Sequence, residues 1–241
     1  MDNKLDDLGM NSSFMQKLQN YWYHYKIHTI AGLFVLIFLI VCISQCAGKV
    51  SPDSQIVYIG PKTMTADNMK DLDESLSKIL NKDFNEDGKI YVDYSEYTLL
   101  SESQAIEAIE DKMMYDAGFQ QTVRKQVDME ITNGDCVIYL MDPSVYLDYV
   151  GDSVFMPLSE ALGYELPQEL LYNEDGYAFK LSELDAYKWY NGIGDLPANT
   201  LVAVKNRAII SIRESEKDKE ERYSQNLYFL KQLIDYKMPE E

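Results

Sequence analysis

Residues 134–144 read GDCVIYLMDPS, and this stretch decides the fold class of the chain. Residues 136–141 are nearly all apolar, which is typical of a strand that is buried on both faces of a sheet. A turn at 133–135 precedes this strand, and Asp142 or Ser144 is placed to cap the helix that follows. The sequence therefore predicts a central buried strand that leads directly into a helix.

Strand and helix patterns alternate along much of the chain. Consecutive or alternating apolar residues predict strands, and apolar residues spaced three or four apart predict helices. The alternation predicts an α/β fold, a three-layer domain with a mainly parallel sheet. The expected elements are a strand at 56–60, a helix at about 65–81, a strand within 89–100, a helical stretch at about 101–131, the strand at 136–141, and short helices at 145–150 and 159–162. Gly118 divides the helical stretch at 101–131, and its apolar face holds Ile106, Ile109, Met113 and Met114.

The pattern is looser after Gly163. A final helix closes the chain, and its charged beginning is typical of a solvated helix start. We expect loops at 173–176 and 191–194, strands at 178–181, 201–204 and 208–212, and a helix at 214–237 with Tyr223, Leu227, Leu230 and Ile234 on its inner face.

The N-terminal part contains a membrane-type segment. From Ile27 to Gly48 there is no Asp, Glu, Lys or Arg, and roughly 20 apolar residues are enough to cross the hydrocarbon layer. Trp22 and its neighbouring tyrosines are typical anchors at a membrane–water interface. The sequence predicts a cytoplasmic tail at 1–28, a transmembrane helix at 29–48, a tether at 49–55 and an extracellular domain at 56–241.

The charge distribution limits the partners. The chain has 40 acidic and 22 basic side chains, a net charge of −18. Residues 1–49 hold three acidic and four basic side chains, so the remaining 37 acidic and 18 basic side chains leave a net charge of −19. Nucleic acid is not an expected partner, because phosphate recognition needs clustered Lys and Arg.

The short tail and the large acidic domain with a single cysteine indicate a single-pass protein of the cell membrane, with a cytoplasmic N-terminus and an extracellular C-terminal domain. Lipidation of Cys46 is the alternative to an uncleaved helical anchor. The only histidines are His24 and His28, which excludes catalysis by His and zinc binding by His in the domain.

Three stretches together resemble a known family: VYIG at 57–60, DFNEDGKI at 83–90 and GDCVIYLMDPSVYLDYVGDSVFMPLSEAL at 134–162. They resemble the extracellular solute-binding proteins of Gram-positive bacteria, which have a two-lobed type II periplasmic-binding fold. In that family an apolar strand after a Gly-Asp turn ends in Asp and leads into a short aromatic helix and a Pro-Leu segment. The part after Gly163 is too short for a full second lobe, so the resemblance implies a truncated version of this fold.

Ligands of open parallel sheets bind beyond the carboxyl ends of the strands, close to helix N-termini. Here these ends are expected at 60–61, at Ser95 and at 142–144. The candidate ligand-binding residues are Ser95, Asp142, Ser144 and Tyr146. The alternative is that Asp142 or Ser144 only caps the following helix.

The sequence DFNEDGKI at 83–90 also matches the first eight positions of a calcium loop, in which oxygen ligands alternate and a Gly allows a sharp turn. Ca²⁺ is therefore the candidate ion, although Tyr94 stands where a bidentate Glu belongs. The alternative is an Asn/Asp/Gly turn. The candidate ligands are Asp83, Asn85, Asp87, Lys89 through its carbonyl, and Asp93.

Two further features have a structural alternative. Tyr187 and Tyr190 lie on one helical face, where they either pack in the core or, if exposed, offer rings for stacking. Cys136 lies in the apolar strand and has no His to activate it, so we expect a small buried hydrophobe rather than a nucleophile.

These observations predict a noncatalytic binding domain anchored to the membrane. The resemblance implies a small solute as ligand. The alternative is a protein partner, or an accessory role beside a membrane transport or wall-synthesis complex. The number of lobes distinguishes the two, because a closed cleft needs two walls, whereas a lone lobe offers an open surface.

Overall fold

The computed structural model describes residues 13–47, 51–111, 115–151, 153–210 and 215–239. They divide into two units, within residues 1–49 and 50–241. The first unit is one helix, α1 (Ser13–Ala47). Its segment Lys17–Ile43 contains an 18-residue window with a mean hydropathy of 2.4 and is long and apolar enough to cross a membrane. The helix begins at Ser13, well before the predicted start at residue 29, so the predicted transmembrane segment forms the C-terminal part of a longer helix.

The second unit contains a five-stranded sheet with the strand order β2-β1-β3-β5-β4. β1 is parallel to both β2 and β3, whereas β5 is antiparallel to both β3 and β4. Four strands therefore run in one direction, and the sheet is mainly parallel as expected. The strands are β1 (Ser54–Gly60), β2 (Val92–Thr98), β3 (Ile138–Met141), β4 (Ala178–Lys180) and β5 (Leu201–Val204).

Eight helices of the described part surround this sheet. The first of them shows why the predicted helices form: the Thr65 side chain caps its start, and Asn81 ends it in the left-handed conformation. The helices are α2 (Ala66–Leu80), α3 (Glu102–Glu110), α4 (Ala117–Asn133), α5 (Pro143–Tyr149), α6 (Leu158–Leu162), α7 (Asp185–Trp189), α8 (Asn191–Gly194) and α9 (Glu216–Asp235).

The core has two parts, one on each face of the sheet, because neighbouring residues of a strand point to opposite faces. On β1, Ile56 and Tyr58 pack in one cluster with α2, α6, α7, α8 and α9. Val57 and Ile59 pack in the other cluster with α4 and α5. The sheet thus lies between two helical layers, which is the expected three-layer arrangement.

The start of the domain differs from the prediction. β1 begins at Ser54 rather than Ile56, and Asp53 is buried. Ser54 Oγ donates a hydrogen bond to Asn226 Oδ1 at 2.9 Å, and the backbone N–H of Gln55 donates to the same oxygen at 2.9 Å. Asn226 on α9 therefore fixes the first strand, and part of the predicted tether belongs to the folded domain.

Three predicted elements are corrected. The stretch 101–131 forms two helices, but α3 already ends at Glu110 and Gly118 lies in the first turn of α4; Met113 and Met114 lie outside the described residues. Residues 191–194 form one helical turn rather than a loop. The predicted strand 208–212 is wrong at its start, because Arg207–Ile209 form a 3-10 turn that the Asn206 side chain caps; residues 211 and 212 are outside the described part.

Candidate functional site

The carboxyl edge of the sheet, where β1, β2 and β3 end, is the expected ligand position. The strand order places β1 between β2 and β3. The chain therefore passes from β1 to its neighbour β2 on one side, and then returns to form β3 on the other side of β1. In open α/β sheets ligands bind at such a switch point. At this edge the chain continues from Gly60 into residues 61–65, from Thr98 into α3, and from Met141 into Asp142 and α5.

Asp142 is buried at this edge and accepts hydrogen bonds at both carboxylate oxygens. Its Oδ1 accepts from the Ser144 backbone N–H at 2.9 Å and from the Ser144 hydroxyl at 2.6 Å. Its Oδ2 accepts from Gln104 Nε2 and from Asn199 Nδ2, each at 3.3 Å. Asp142 is therefore the cap of α5 and also connects three separate parts of the chain.

The sequence analysis missed Gln104 and Asn199. Gln104 closes a capping box with Ser101 at the start of α3, because each side chain bonds the backbone of the other residue. The spacing Ser101-x-x-Gln104 is a recognisable signal for such a box. Asn199 lies in the segment before β5 and carries no comparable signal. Its position at the edge follows only from the strand order.

Ser144 lies at an open crevice of about 560 Å³ next to the carboxyl edge. The crevice lies between α3, α4 and α5, and Arg124 of α4 forms an ion pair with Asp148 of α5 at 2.8 Å. The hydrogen bond to Asp148 raises the pKa of the Arg124 guanidinium above its ordinary value. The lining residues are Ser101, Glu102, Ser103, Ile106, Arg124, Ser144 and Asp148.

Tyr146 does not lie at the crevice. Its side chain is fully buried, its ring stacks on Phe155 at a centroid distance of 5.9 Å, and Tyr172 meets it edge-on at 5.8 Å. Its hydroxyl donates to Asp175 Oδ2 at 3.4 Å. Burial, together with the charge of Asp175, raises the pKa of the Tyr146 phenol. In this structure Tyr146 is a core residue.

Ser95 is separated from the other candidate residues. It lies in the middle of β2 opposite Val57, because β2 runs to Thr98. Its exposed side chain lines a different crevice of about 300 Å³ together with Asp93 and Cys136. The structure therefore brings Asp142 and Ser144 together and places Ser95 and Tyr146 elsewhere.

The candidate calcium loop forms a compact turn. Asp83 Oδ2 accepts from the Gly88 N–H at 2.8 Å, Asn85 Oδ1 from the Asp87 N–H at 2.9 Å, and Asp87 Oδ1 from the Lys89 N–H at 2.9 Å. Gly88 takes a positive φ of 84°, which favours glycine. Side-chain oxygens of the first three candidate ligands thus accept backbone N–H groups of the turn.

The remaining acidic groups near this loop have other contacts. Asp93 Oδ1 accepts from the Tyr91 hydroxyl at 3.2 Å, and Glu96 Oε2 accepts from the Tyr94 hydroxyl at 3.3 Å. Asp83 Oδ1 is buried and has no hydrogen-bond partner. Among the described residues no three Asp, Glu, His or Cys side chains are placed to hold a metal ion together. The geometry of this segment is that of an Asn/Asp/Gly turn.

The remaining candidate side chains have structural contacts. Tyr187 donates to the Leu196 carbonyl at 2.8 Å, and Tyr190 packs against Tyr236 at a ring distance of 5.1 Å. Both tyrosines pack against the larger core cluster, as expected for core residues. Cys136 is buried, and burial raises the pKa of its thiol to about 12. The thiolate required of a nucleophile is therefore suppressed at neutral pH.

Comparisons with known proteins add no relative. No family model matches the sequence. No curated protein matches it, and no solved structure matches the fold.

Proposed function

We propose that this chain is a noncatalytic binding domain, anchored to the membrane by α1, that recognises a protein partner on the outer side of the membrane. The observation that carries the proposal is the open carboxyl edge. Between Ser51 and Pro239 the described residues form one sheet with an open crevice beside Ser144. A lone lobe of this kind supplies only one wall of a ligand cleft and leaves an open surface. Such a surface suits a protein partner better than a small solute, which binds in an enclosed pocket.

The proposed lack of catalysis has two supports. The thiol of Cys136 is buried, with a pKa of about 12, and both histidines lie in α1. At the carboxyl edge, Asp142 accepts hydrogen bonds from amide and hydroxyl donors, and no second carboxylate of the described residues is paired with it. An acid–base pair of carboxylates, which hydrolysis of a glycosidic bond requires, has no support at this edge.

The anchor and its orientation are part of the proposal. α1 carries exposed apolar side chains along Lys17–Ile43 and is long and apolar enough to cross a membrane, which supports the proposed anchor. An alkaline phosphatase fused after Glu241 tests the orientation, because this enzyme is active only outside the cytoplasm. High activity supports an extracellular domain. Activity no higher than that of a phosphatase without an export signal would place the domain in the cytoplasm.

A small polar solute is the second candidate ligand. The crevice favours it in one respect, because the hydroxyl groups of Ser101, Ser103 and Ser144 and the cation of Arg124 converge there. Such groups can fix the orientation of a small ligand. The crevice is open on one side, so a solute would need a second wall from another chain.

The experiment compares both candidates on the full chain in native membranes. A photoreactive amino acid is placed at exposed positions on several helices, including Leu147 and Lys188, and covalent adducts are identified after illumination. A discrete protein adduct that depends on the position supports the proposed function. Sugars, amino acids and short peptides are also screened for thermal stabilisation. A solute that stabilises the chain, together with the absence of adducts, would replace the protein partner by that solute.

A further inference from the structure

Helix α3 exposes an apolar face that no other described element covers. None of its residues is buried, and Ile106 and Ile109 are 51% and 57% exposed. These two residues are three positions apart and therefore lie on the same side of the helix. The opposite side, with Gln104, Ala105 and Ala108, is half-buried, so α3 is fixed to the domain and presents its isoleucines outward.

Helix α5 borders the same crevice and carries a further exposed apolar side chain. Ile106 lines the crevice on one side, and Ser144 and Asp148 line it on the other. Leu147, which precedes Asp148, is 57% exposed. Clusters of exposed apolar side chains with a polar rim mark interaction sites. We call Ile106, Ile109 and Leu147, together with the crevice between them, the α3–α5 surface.

The rim of this surface is acidic. Glu102, Glu107 and Glu110 are exposed on α3, and α3 has no basic residue. The nearest cation that lines the crevice, Arg124, is already paired with Asp148 at 2.8 Å. Among the described residues no cation forms an ion pair with these three carboxylates. An apolar stripe with such carboxylates beside it is complementary to a ligand that is both apolar and cationic.

The charge also argues against two other occupants of the α3–α5 surface. A second copy of the chain would bring the same acidic rim and the same net charge of −18 against the first copy. An anionic lipid surface would be repelled in the same way. A cationic amphipathic helix has neither problem, and its apolar residues at spacings of three and four would follow the stripe of isoleucines.

We infer that the α3–α5 surface binds a basic amphipathic helix of a partner protein. The apolar face of this helix packs on Ile106, Ile109 and Leu147, and its Lys and Arg side chains lie over Glu102, Glu107 and Glu110. The inference rests on the proposed function and names the chemistry of the partner. It also places the contact on one defined face of the domain.

The test uses the full chain in uncharged nanodiscs and an 18-residue helical peptide of Leu and Lys with all Leu on one face. The comparison peptides are one with the same composition in scrambled order, which has no apolar face, and one with Glu in place of Lys. Binding is measured by fluorescence anisotropy. We expect the amphipathic Leu/Lys peptide to bind at least about tenfold more tightly than either comparison peptide, and its affinity to fall as salt rises.

Matched variants locate the site. The double variant Ile106→Ser/Ile109→Ser should weaken binding about tenfold, whereas Met129→Ser, which removes another exposed apolar side chain, should not. The triple variant Glu102→Gln/Glu107→Gln/Glu110→Gln should weaken binding similarly. The control is the triple variant Glu165→Gln/Glu169→Gln/Glu174→Gln, which removes the same total charge from three exposed acidic residues elsewhere in the domain.

The outcomes separate the inference from the proposed function. Equal losses in the two triple variants, or no loss in the isoleucine variant, would overturn the inference, because the peptide would then bind the general acidic surface. Photo-crosslinking adducts at Lys188 but none at Ile106 would also overturn it and would leave the proposed protein partner standing. The absence of adducts at every position would count against the proposed function itself.

Discussion

Oδ1 of Asp53 accepts a hydrogen bond from the backbone N–H of Phe84 at 2.7 Å. The same oxygen accepts from Asn85 N–H at 3.2 Å, and Oδ2 accepts from Tyr91 N–H at 3.0 Å. One buried carboxylate before β1 therefore satisfies three backbone donors at the two ends of the turn between α2 and β2. The turn is held by the domain as well as by its own Asx contacts.

We expect Asp53→Ala to lower the free energy of unfolding by about 3 kcal/mol or more, because it leaves three backbone donors without their charged acceptor. Asp87→Ala is the control. It removes an exposed carboxylate whose acceptor contact within the described residues is with the Lys89 N–H at 2.9 Å, so its loss should be about 1 kcal/mol. Denaturant unfolding in detergent measures both losses. If both variants lost the same free energy of unfolding, the contacts within the turn would matter as much for stability as its attachment through Asp53.

Calcium should have little effect on this turn. The twelfth position of the loop is Tyr94, and the neighbouring Asp93 and Glu96 already accept hydrogen bonds from tyrosine hydroxyls. A weak extracellular calcium site has a Kd of about 0.1–1 mM. We expect 1 mM Ca²⁺, relative to EDTA, to shift the melting temperature by less than about 1 °C. A larger shift that Asp83→Ala abolishes would establish a calcium site at the buried Asp83 Oδ1.

The sequence predicted the elements with strong patterns and missed those set by distant contacts. The apolar run at 136–141 correctly predicted a central strand, and Asp142, one of the two predicted helix caps, does cap α5. Ser95 was expected at the carboxyl end of the strand that the alternating pattern predicts within 89–100. The backbone of Tyr91 is instead bound to Asp53, and the strand begins at Val92 and runs to Thr98.

The reversed direction of β5 was also beyond local reasoning, because Leu201–Val204 has the same apolar pattern as a parallel strand. The same holds for the contact of Asn199 with Asp142 across 57 positions. Neither relationship leaves a periodic signal in the sequence. By contrast, the exposed isoleucines of α3 were predicted as an apolar helix face, and only the structure shows that nothing described covers it.

Gly192 should tolerate no side chain. A Cβ at this position would lie 2.4 Å from the backbone of Asp71 and Leu72, because α8 touches the backbone of α2. We expect Gly192→Ala to destabilise the domain by about 3 kcal/mol, since neither helix can retreat without opening the core. Gly151→Ala is the matched control, since nothing lies within 4 Å of the added atom. Similar melting temperatures for both variants would contradict this close contact.

Buried tyrosines should make the domain labile to alkali. Burial, and to a lesser degree the charges of Asp142 and Glu96, raises the pKa of Tyr58 to about 12. In the unfolded chain a tyrosine titrates near 10. The folded state therefore binds this proton more tightly, so the contribution is complete below pH ~10 and is lost between about 10 and 12.

Tyr58→Phe removes this titration, so the stability of the wild type should fall relative to the variant by up to about 3 kcal/mol between pH 9 and pH 12. Below pH 9 the difference between the two should be constant. Denaturant unfolding at a series of pH values measures it. Parallel stability curves for the two proteins over the whole range would show that Tyr58 ionises in the folded state as readily as in the unfolded chain.

The carboxylate of Asp142 should contribute more than a helix cap does. Asp116 caps α4 with one exposed contact, from the Phe119 N–H at 3.0 Å, and Asp116→Ala should cost about 1 kcal/mol. Asp142→Ala removes the same kind of cap and also the buried carboxylate that half-buried Gln104 and exposed Asn199 share as acceptor, so we expect a loss of about 2–3 kcal/mol. Hydrogen exchange should show faster opening of α3 in Asp142→Ala and not in Asp116→Ala. If the two variants lose the same stability and α3 exchanges equally in both, Asp142 acts only as a cap, and the carboxyl edge is not held together through it.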